Sequence, residues 1–250
     1  MTSVPGTPRA AARIAAASLL TVFLAFALAP PASASGQFGI GAFGTYGAYK
    51  MADVNDELIT PLNDLLALSG SDVRMDKINN GFGFGGGLRW KSPSNILVAV
   101  DYERLAASSK VSDPTGSFEL KVPANAVIGT VTYLLPSTTN LHFGFAGGLG
   151  YYSADGSATL ADPDTSFTDK LKGHGIGFHA GAVMDVTLSE QLHLNVFGGW
   201  RQAKTTDLKD NDVKVLKSNG DDATLDWSGV TARVGLDLYF GATEAVTPRP

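Results

Sequence analysis

Seven ionisable residues, Arg89, Asp101, Glu103, Asp185, Arg201, Arg233 and Asp237, stand in stretches where apolar residues occupy every second position. Each falls between those apolar residues, so it belongs to the opposite face of the same stretch. If that face is enclosed, ionised groups on it must be paired or wet. Three guanidinium groups and four carboxylates then form one of two things. The first is an ion-pair core that fills and locks the interior. The second is a narrow polar path that opens when the pairs exchange partners. Spacing along the stretches places Asp101 and Glu103 within reach of Arg233, with Arg201 towards one end and Arg89 towards the other.

The histidines offer less. His142, His179 and His193 share the polar face but stand on different stretches at what spacing reads as different heights, and His174 opens the stretch that carries His179. No H-x-x-H or H-E-x-x-H places two on one face, so no metal site is expected. A lipid-modifying hydrolase would need serine, histidine and acid together on one outward face. No histidine has a strand serine beside it in the His-x-Ser sense, so no catalytic residues are expected. The G-x-G in residues 81–87 lies inside a strand pattern with no helix after it, which removes a nucleotide reading. No cofactor is expected. The absence of cysteine excludes disulfides, thiol catalysis and a lipidated cysteine.

The elements that position these residues are eight alternating segments: about 37–49, 81–91, a third from 96, 124–135, 141–151, 175–188, 192–201 and 227–240. The apolar set of the first is Phe38, Ile40, Ala42, Tyr46 and Ala48, and that of the last is Val230, Ala232, Val234, Leu236, Leu238 and Phe240. The opposite face of the second holds Gly81, Gly83, Gly85, Gly87 and Arg89, too many small residues for a spacious interior. Each segment has the ~9–11 residues that a tilted strand needs to cross a bilayer. Three connections are tight, at about 92–95, 136–140 and 189–191. They alternate with four long polar ones, at about 51–80, 108–123, 153–174 and 203–225. Short turns on one side and long loops on the other mark a transmembrane barrel. Thr60-Pro61 resembles an N-cap followed by a first-turn proline, with Leu62, Leu65, Leu66 and Leu68 at helical spacing. A short amphipathic helix is compatible with the first loop, its leucines packed on neighbouring loops, closing the interior or resting in the lipid interface.

Residues 1–34 read as an export signal. Arg9 and Arg13 precede an apolar stretch too short to span, which ends at Ala32-Ser33-Ala34. Removing that leader takes 2 of the 19 basic residues and none of the 24 acidic ones, so the remainder is acidic and nucleic acid is not an expected partner. Residues 35–240 are expected to form the barrel and 241–250 a short periplasmic tail. Trp90, Tyr133 and Phe240 near the tight turns, and Tyr46, Tyr102, Tyr151 and Trp200 near the long loops, read as two interfacial belts. The charges of the last loop, among them Asp207, Lys209, Asp210, Asp212, Lys214, Lys217, Asp221 and Asp222, alternate in sign as a solvated surface does.

Across nearly the whole chain this pattern resembles the small outer-membrane β-barrel family, the OmpA/OmpX-like transmembrane domains. The most specific likeness is Arg233-Val234-Gly235-Leu236-Asp237-Leu238-Tyr239-Phe240, which is similar to that family's C-terminal signal through Arg233, Gly235, Leu238 and Phe240. The resemblance implies an all-β, eight-stranded, antiparallel up-and-down barrel in the outer membrane. It also implies the barrel-assembly machinery as a partner during biogenesis. The expected role is structural, with surface contact through the loops, a monomeric state and contact with outer-membrane lipid and lipopolysaccharide. A narrow porin-like channel is the alternative, and an outer-membrane lipid-modifying enzyme a further one. A soluble lipocalin-like barrel would place apolar residues inside and charges outside, the inverse of this pattern. The chain departs from the family by continuing ten residues past Phe240.

Overall fold

Hydrocarbon offers no water to backbone amides, so strands can cross it only in a sheet that closes on itself. The computed structural model, which describes residues 36–113, 116–162, 164–210 and 213–240, contains such a sheet. The expected leader, the tail after Phe240, and Asp212 lie outside the described residues. The strands are β1 Gln37–Ala48, β2 Asn80–Lys91, β3 Ile96–Ala106, β4 Ser108–Asp113, β5 Gly116–Lys121, β6 Ala124–Leu134, β7 Leu141–Ala161, β8 Ser166–Thr187, β9 Leu192–Asp210, β10 Val213–Lys214, β11 Leu225–Asp226 and β12 Gly229–Phe240. Eight of them form an antiparallel ring, β1-β2-β3-β6-β7-β8-β9-β12, which β1 closes by pairing Phe38 with Phe240 and Thr45 with Arg233.

The two faces of this ring are inverted relative to a water-soluble barrel. Phe82, Leu149 and Ile176 on the outside are 69%, 68% and 77% exposed, whereas Asp101, Glu103 and Arg201 inside are 1%, 0% and 2% exposed. Such an exterior is stable only against an apolar solvent. The tight turns fall where the sequence places them. At the first, Ser92 N–H donates to the Ile96 carbonyl (2.7 Å) and Asn95 takes φ 61°, a conformation asparagine tolerates better than most residues.

Three of the long connections differ from expectation, because much of their length is sheet. Residues 108–123 fold into the β4–β5 hairpin, and β5 pairs on to β7. β7 and β8 run 21 and 22 residues and stay paired to Ala161↔Ser166, so residues 153–174 are strand apart from a tight turn. These extensions rise well beyond the ~9–11 residues that span the hydrocarbon. Period two persists as far as Gly156, with Ser153 and Asp155 outward, and then fades, which removes the apolar signal of a strand in lipid.

The first loop is helical from Ala52, earlier than expected. α1 Ala52–Val54 runs through a wide π-type turn, Asn55–Ile59, into α2 Thr60–Leu68. Thr60 is therefore no N-cap: its N–H and its Oγ1 (2.8 Å) both donate to the Asn55 carbonyl. The wide turn absorbs Pro61, which has no N–H to continue an ordinary helical ladder. Leu62 and Leu66 pack inward, while Leu65 and Leu68 are 65% and 85% exposed. Two asparagines tie the helices to the returning chain. Asn55 Oδ1 accepts from Ile78 N–H (2.8 Å) while its Nδ2 donates to the Ile78 carbonyl (3.0 Å), and Asn63 repeats this pattern with Met75 (2.7 and 3.0 Å). Asp53 accepts from the N–H and hydroxyl of Thr224, fastening the same segment to the last loop.

Candidate functional site

The interior is filled in layers. At the long-loop end, Met51, Val54, Ile59, Met75 and Ile78 of the first loop enter a cluster with Leu105, Ala126, Ile128, Tyr152 and Ala203, which point inward from the strands, and with Trp227, just ahead of β12. The outer part of the lumen is thus an apolar plug, a feature that polar loop composition concealed. Its depth comes from inward positions such as Ala124, Ala126 and Ile128, which read in sequence as merely the opposite face of a lipid-facing strand.

Beneath the plug lies a chain of ion pairs. Asp237 Oδ1 accepts from Arg89 Nε (2.9 Å), and Arg89 Nη1 donates to Asp101 Oδ1 (2.5 Å). Asp101 Oδ2 accepts from Arg233 Nη1 (2.9 Å), and Arg233 Nη2 lies 3.6 Å from Glu103 Oε2. Glu103 completes the series by accepting from Arg201 Nη2 at both of its oxygens, 2.9 and 2.8 Å. Three cations and three anions alternate along the lumen, so each buried charge meets at least one opposite partner, as low dielectric requires. The Arg233 guanidinium also stacks 3.9 Å from the centre of the Phe43 ring, and Phe43 fits because Gly85 faces it: a Cβ there would sit 2.5 Å from the ring. Arg89, Asp101, Arg233 and Asp237 border a cavity of about 40 Å³, together with Thr130, Thr132, His179 and Asn195. That is room for on the order of three waters.

Asp185 stands apart from this chain. The structure places it against His193, with Oδ1 2.9 Å from Nδ1, and no arginine contacts it among the described residues. His142 is its cross-strand neighbour on β7. The reading of the histidines as lying at different heights is therefore corrected for His142 and His193, which flank one carboxylate at the short-turn end. The register Thr187↔His193 across the turn at residues 189–191 carried the signal, since it makes Asp185 and His193 diagonal neighbours. His179 lies higher, 3.3 Å from Thr130 Oγ1 and edge-on to Phe197. No group of three or more metal-ligating side chains occurs among the described residues.

His174 corrects the sequence reading in a second way. It lies within β8 on the outward face, and Ser153 of β7 is directly opposite it. A serine does accompany a histidine there, unseen because Ser153 was assigned to a loop. No hydrogen bond joins them among the described residues; the His174 ring instead stacks on Tyr151, 6.2 Å between centres at 27°.

The belt residues sit outward: Tyr133 and Phe240 at the short-turn end, and Tyr46, Tyr102, Tyr151 and Trp200 at the other, all 40–50% exposed. Trp90 is half-buried on the same outward register as Phe38. The Tyr102 hydroxyl donates to Asn125 Oδ1 (2.7 Å), and Lys50 Nζ lies 5.7 Å over Trp200. In β12, Leu238 and Phe240 face outward, Arg233 faces the ion-pair chain, and a Cβ on Gly235 would meet Phe43 at 2.8 Å.

A family model described as "Outer membrane protein beta-barrel domain" matches residues 17–241. Among solved structures, a major outer membrane protein from Thermus thermophilus is 13% identical, with 82% of this chain and 100% of that chain covered and a TM-score of 0.47. The outer membrane protein OprG from Pseudomonas aeruginosa is 14% identical over 84% and 98%, with a TM-score of 0.41. Neisserial surface protein A is 12% identical over 81% and 97%, with a TM-score of 0.35. No curated protein matches the chain.

Proposed function

Because the chain belongs to the outer membrane protein β-barrel domain family, we propose that it is an integral outer-membrane protein whose barrel is a closed scaffold presenting a structured surface outside the cell. One observation carries this reading: two fillings lie in series in the lumen, the apolar plug fixed by Asn55 and Asn63 and the ion-pair chain from Asp237 to Arg201. A solute would have to displace both. The β4–β5 hairpin and the extensions of β7, β8 and β9 supply the surface, and a ring without a free edge supports a monomer. On this reading the leader at residues 1–34 directs export. Arg233, Gly235, Leu238 and Phe240 are read by the assembly machinery, and outer-leaflet lipid and lipopolysaccharide surround the belts. No catalytic role is assigned, as the Ser153 hydroxyl donates no hydrogen bond to His174 among the described residues.

Planar-bilayer recording of the purified protein tests the closed scaffold against the narrow porin-like alternative. Current at the protein-free baseline is expected. Reproducible conductance steps that small solutes block would replace the scaffold with a channel.

A further inference from the structure

The helical segment of the first loop carries apolar residues on two sides, and the plug uses one of them. Ile59 is buried, and Leu62 and Leu66 pack on the plug. A second series, Leu58, Pro61, Leu65 and Leu68, steps three, four and three residues along the chain and is exposed throughout. Alternating steps of three and four make a coiled-coil seam, the line along which one helix receives another. From Leu58 to Leu68 this seam runs ~15 Å, about three helical turns. It is held facing away from the plug, because Leu62 and Leu66 turn towards the plug and Asn63 grips Met75 through two hydrogen bonds. An exposed apolar series that the protein's own core does not need marks a contact surface.

The charges beside the seam define what fits it. Glu57 and Asp64 each precede a seam leucine by one residue, the flanking position at which coiled coils choose partners by charge. Asp53 and Asp56 are engaged by Lys217 and Lys77 at 3.7 and 3.6 Å. Among the described residues, Asp64 has no ion pair, and Glu57 accepts only from the backbone N–H of Ser218 (3.1 Å). Both flanking charges are therefore open to a cation. A second copy of the chain would set these acids against themselves, and like charges across an interface repel.

We propose that this seam docks a basic amphipathic helix of an external polypeptide. Apolar side chains of the incoming helix pack on Leu58, Leu65 and Leu68, and its flanking lysines or arginines meet Glu57 and Asp64, the helix-on-helix mode of peptide recognition. The assignment deepens the surface reading above and rests on it, since the long-loop end must face outwards to meet such a partner.

The purified full chain in phosphatidylcholine nanodiscs is titrated with two labelled designed helices that share a leucine seam, one flanked by lysine and the other by glutamate. Binding is read by fluorescence anisotropy against empty nanodiscs. The lysine helix is expected to saturate at one per barrel and to bind at least about tenfold more tightly than the glutamate helix. Leu65→Ser/Leu68→Ser is expected to weaken it by a similar factor and Asp64→Lys to reverse the preference, with heat-modifiable gel migration unchanged in both. Equal affinity for the two helices, or undiminished binding in Leu65→Ser/Leu68→Ser, overturns the proposal. So does quenching of a bimane label at position 68 by brominated acyl chains, which places the seam in lipid, or a dimer that Leu65→Ser/Leu68→Ser abolishes, which places a second copy on it. Failure of the unaltered protein to enter nanodiscs overturns the membrane reading itself, whereas an inserted barrel that ignores the lysine helix overturns the docking surface alone.

Discussion

Glu103 gives both carboxylate oxygens to one nitrogen of a guanidinium that is itself buried, so neither partner can exchange the other for water. Removing one charge strands its mate. Glu103→Gln is expected to cost about 3–5 kcal/mol in guanidinium unfolding from lipid vesicles, whereas Glu103→Leu/Arg201→Met recovers most of that loss. Asp207 tests backbone strain: Asp207→Val at φ 56° is expected to cost about 1–3 kcal/mol in the same assay, and Asp207→Gly to be tolerated. The facing of such residues was legible in the sequence, because period two alone sends Arg89, Asp101, Glu103, Arg201, Arg233 and Asp237 inward. Their partners were less so. Contacts across a barrel interior depend on the stagger between strands far apart in sequence, and Asp237 meets Arg89 across 148 positions. Asp185 shows the converse. Its partner His193 lay across a three-residue turn, and the register there could have been worked out from the turn length.

The first loop and the β7–β8 turn carry their own tests. Asn55 makes two hydrogen bonds to Ile78 within the buried layer, so Asn55→Ala is expected to cost about 1–3 kcal/mol locally. Hydrogen exchange would then show residues 75–78 losing protection while the barrel strands keep theirs. In the β7–β8 turn, Asp162 accepts from the Thr165 hydroxyl (2.8 Å) and from the N–H groups of Thr165 and Asp164 (2.7 and 3.0 Å). The hydroxyl foremost, then the amides, hold its carboxyl below the usual carboxylate value. A depressed folded value means that this turn is stabilised above the ordinary carboxylate pKa of about 3.9 and loosens as pH falls through the folded one. Amide signals of Asp164 and Thr165 are expected to shift together at that lower pH, and in Asp162→Ala to show no such step. Sequence patterning found the helix by its leucines but set its start at Thr60, since a capping threonine and a threonine inside a wide helical turn look alike before proline. It read residues 153–174 as loop because strand detection leaned on an apolar outward face, which disappears when a strand leaves the membrane.

For the molecule as a whole, strand number, order and facing were legible because a bilayer imposes one rule on every crossing: apolar out, everything else in. The plug was not legible, since water-exposed loops obey no such rule and their buried residues, Met51, Ile59 and Met75 among them, are scattered in polar sequence. The claim on which the rest depends is that the ring's apolar face meets lipid. Spin labels at positions 82, 149, 176 and 234, compared with labels at 157 and 168 in the extensions, test it directly through collision with oxygen and with a water-soluble nickel chelate in reconstituted vesicles. Preferential contact with oxygen at the first four and with nickel at the last two is the expected result. Nickel contact at all six positions alike would contradict the membrane-spanning barrel.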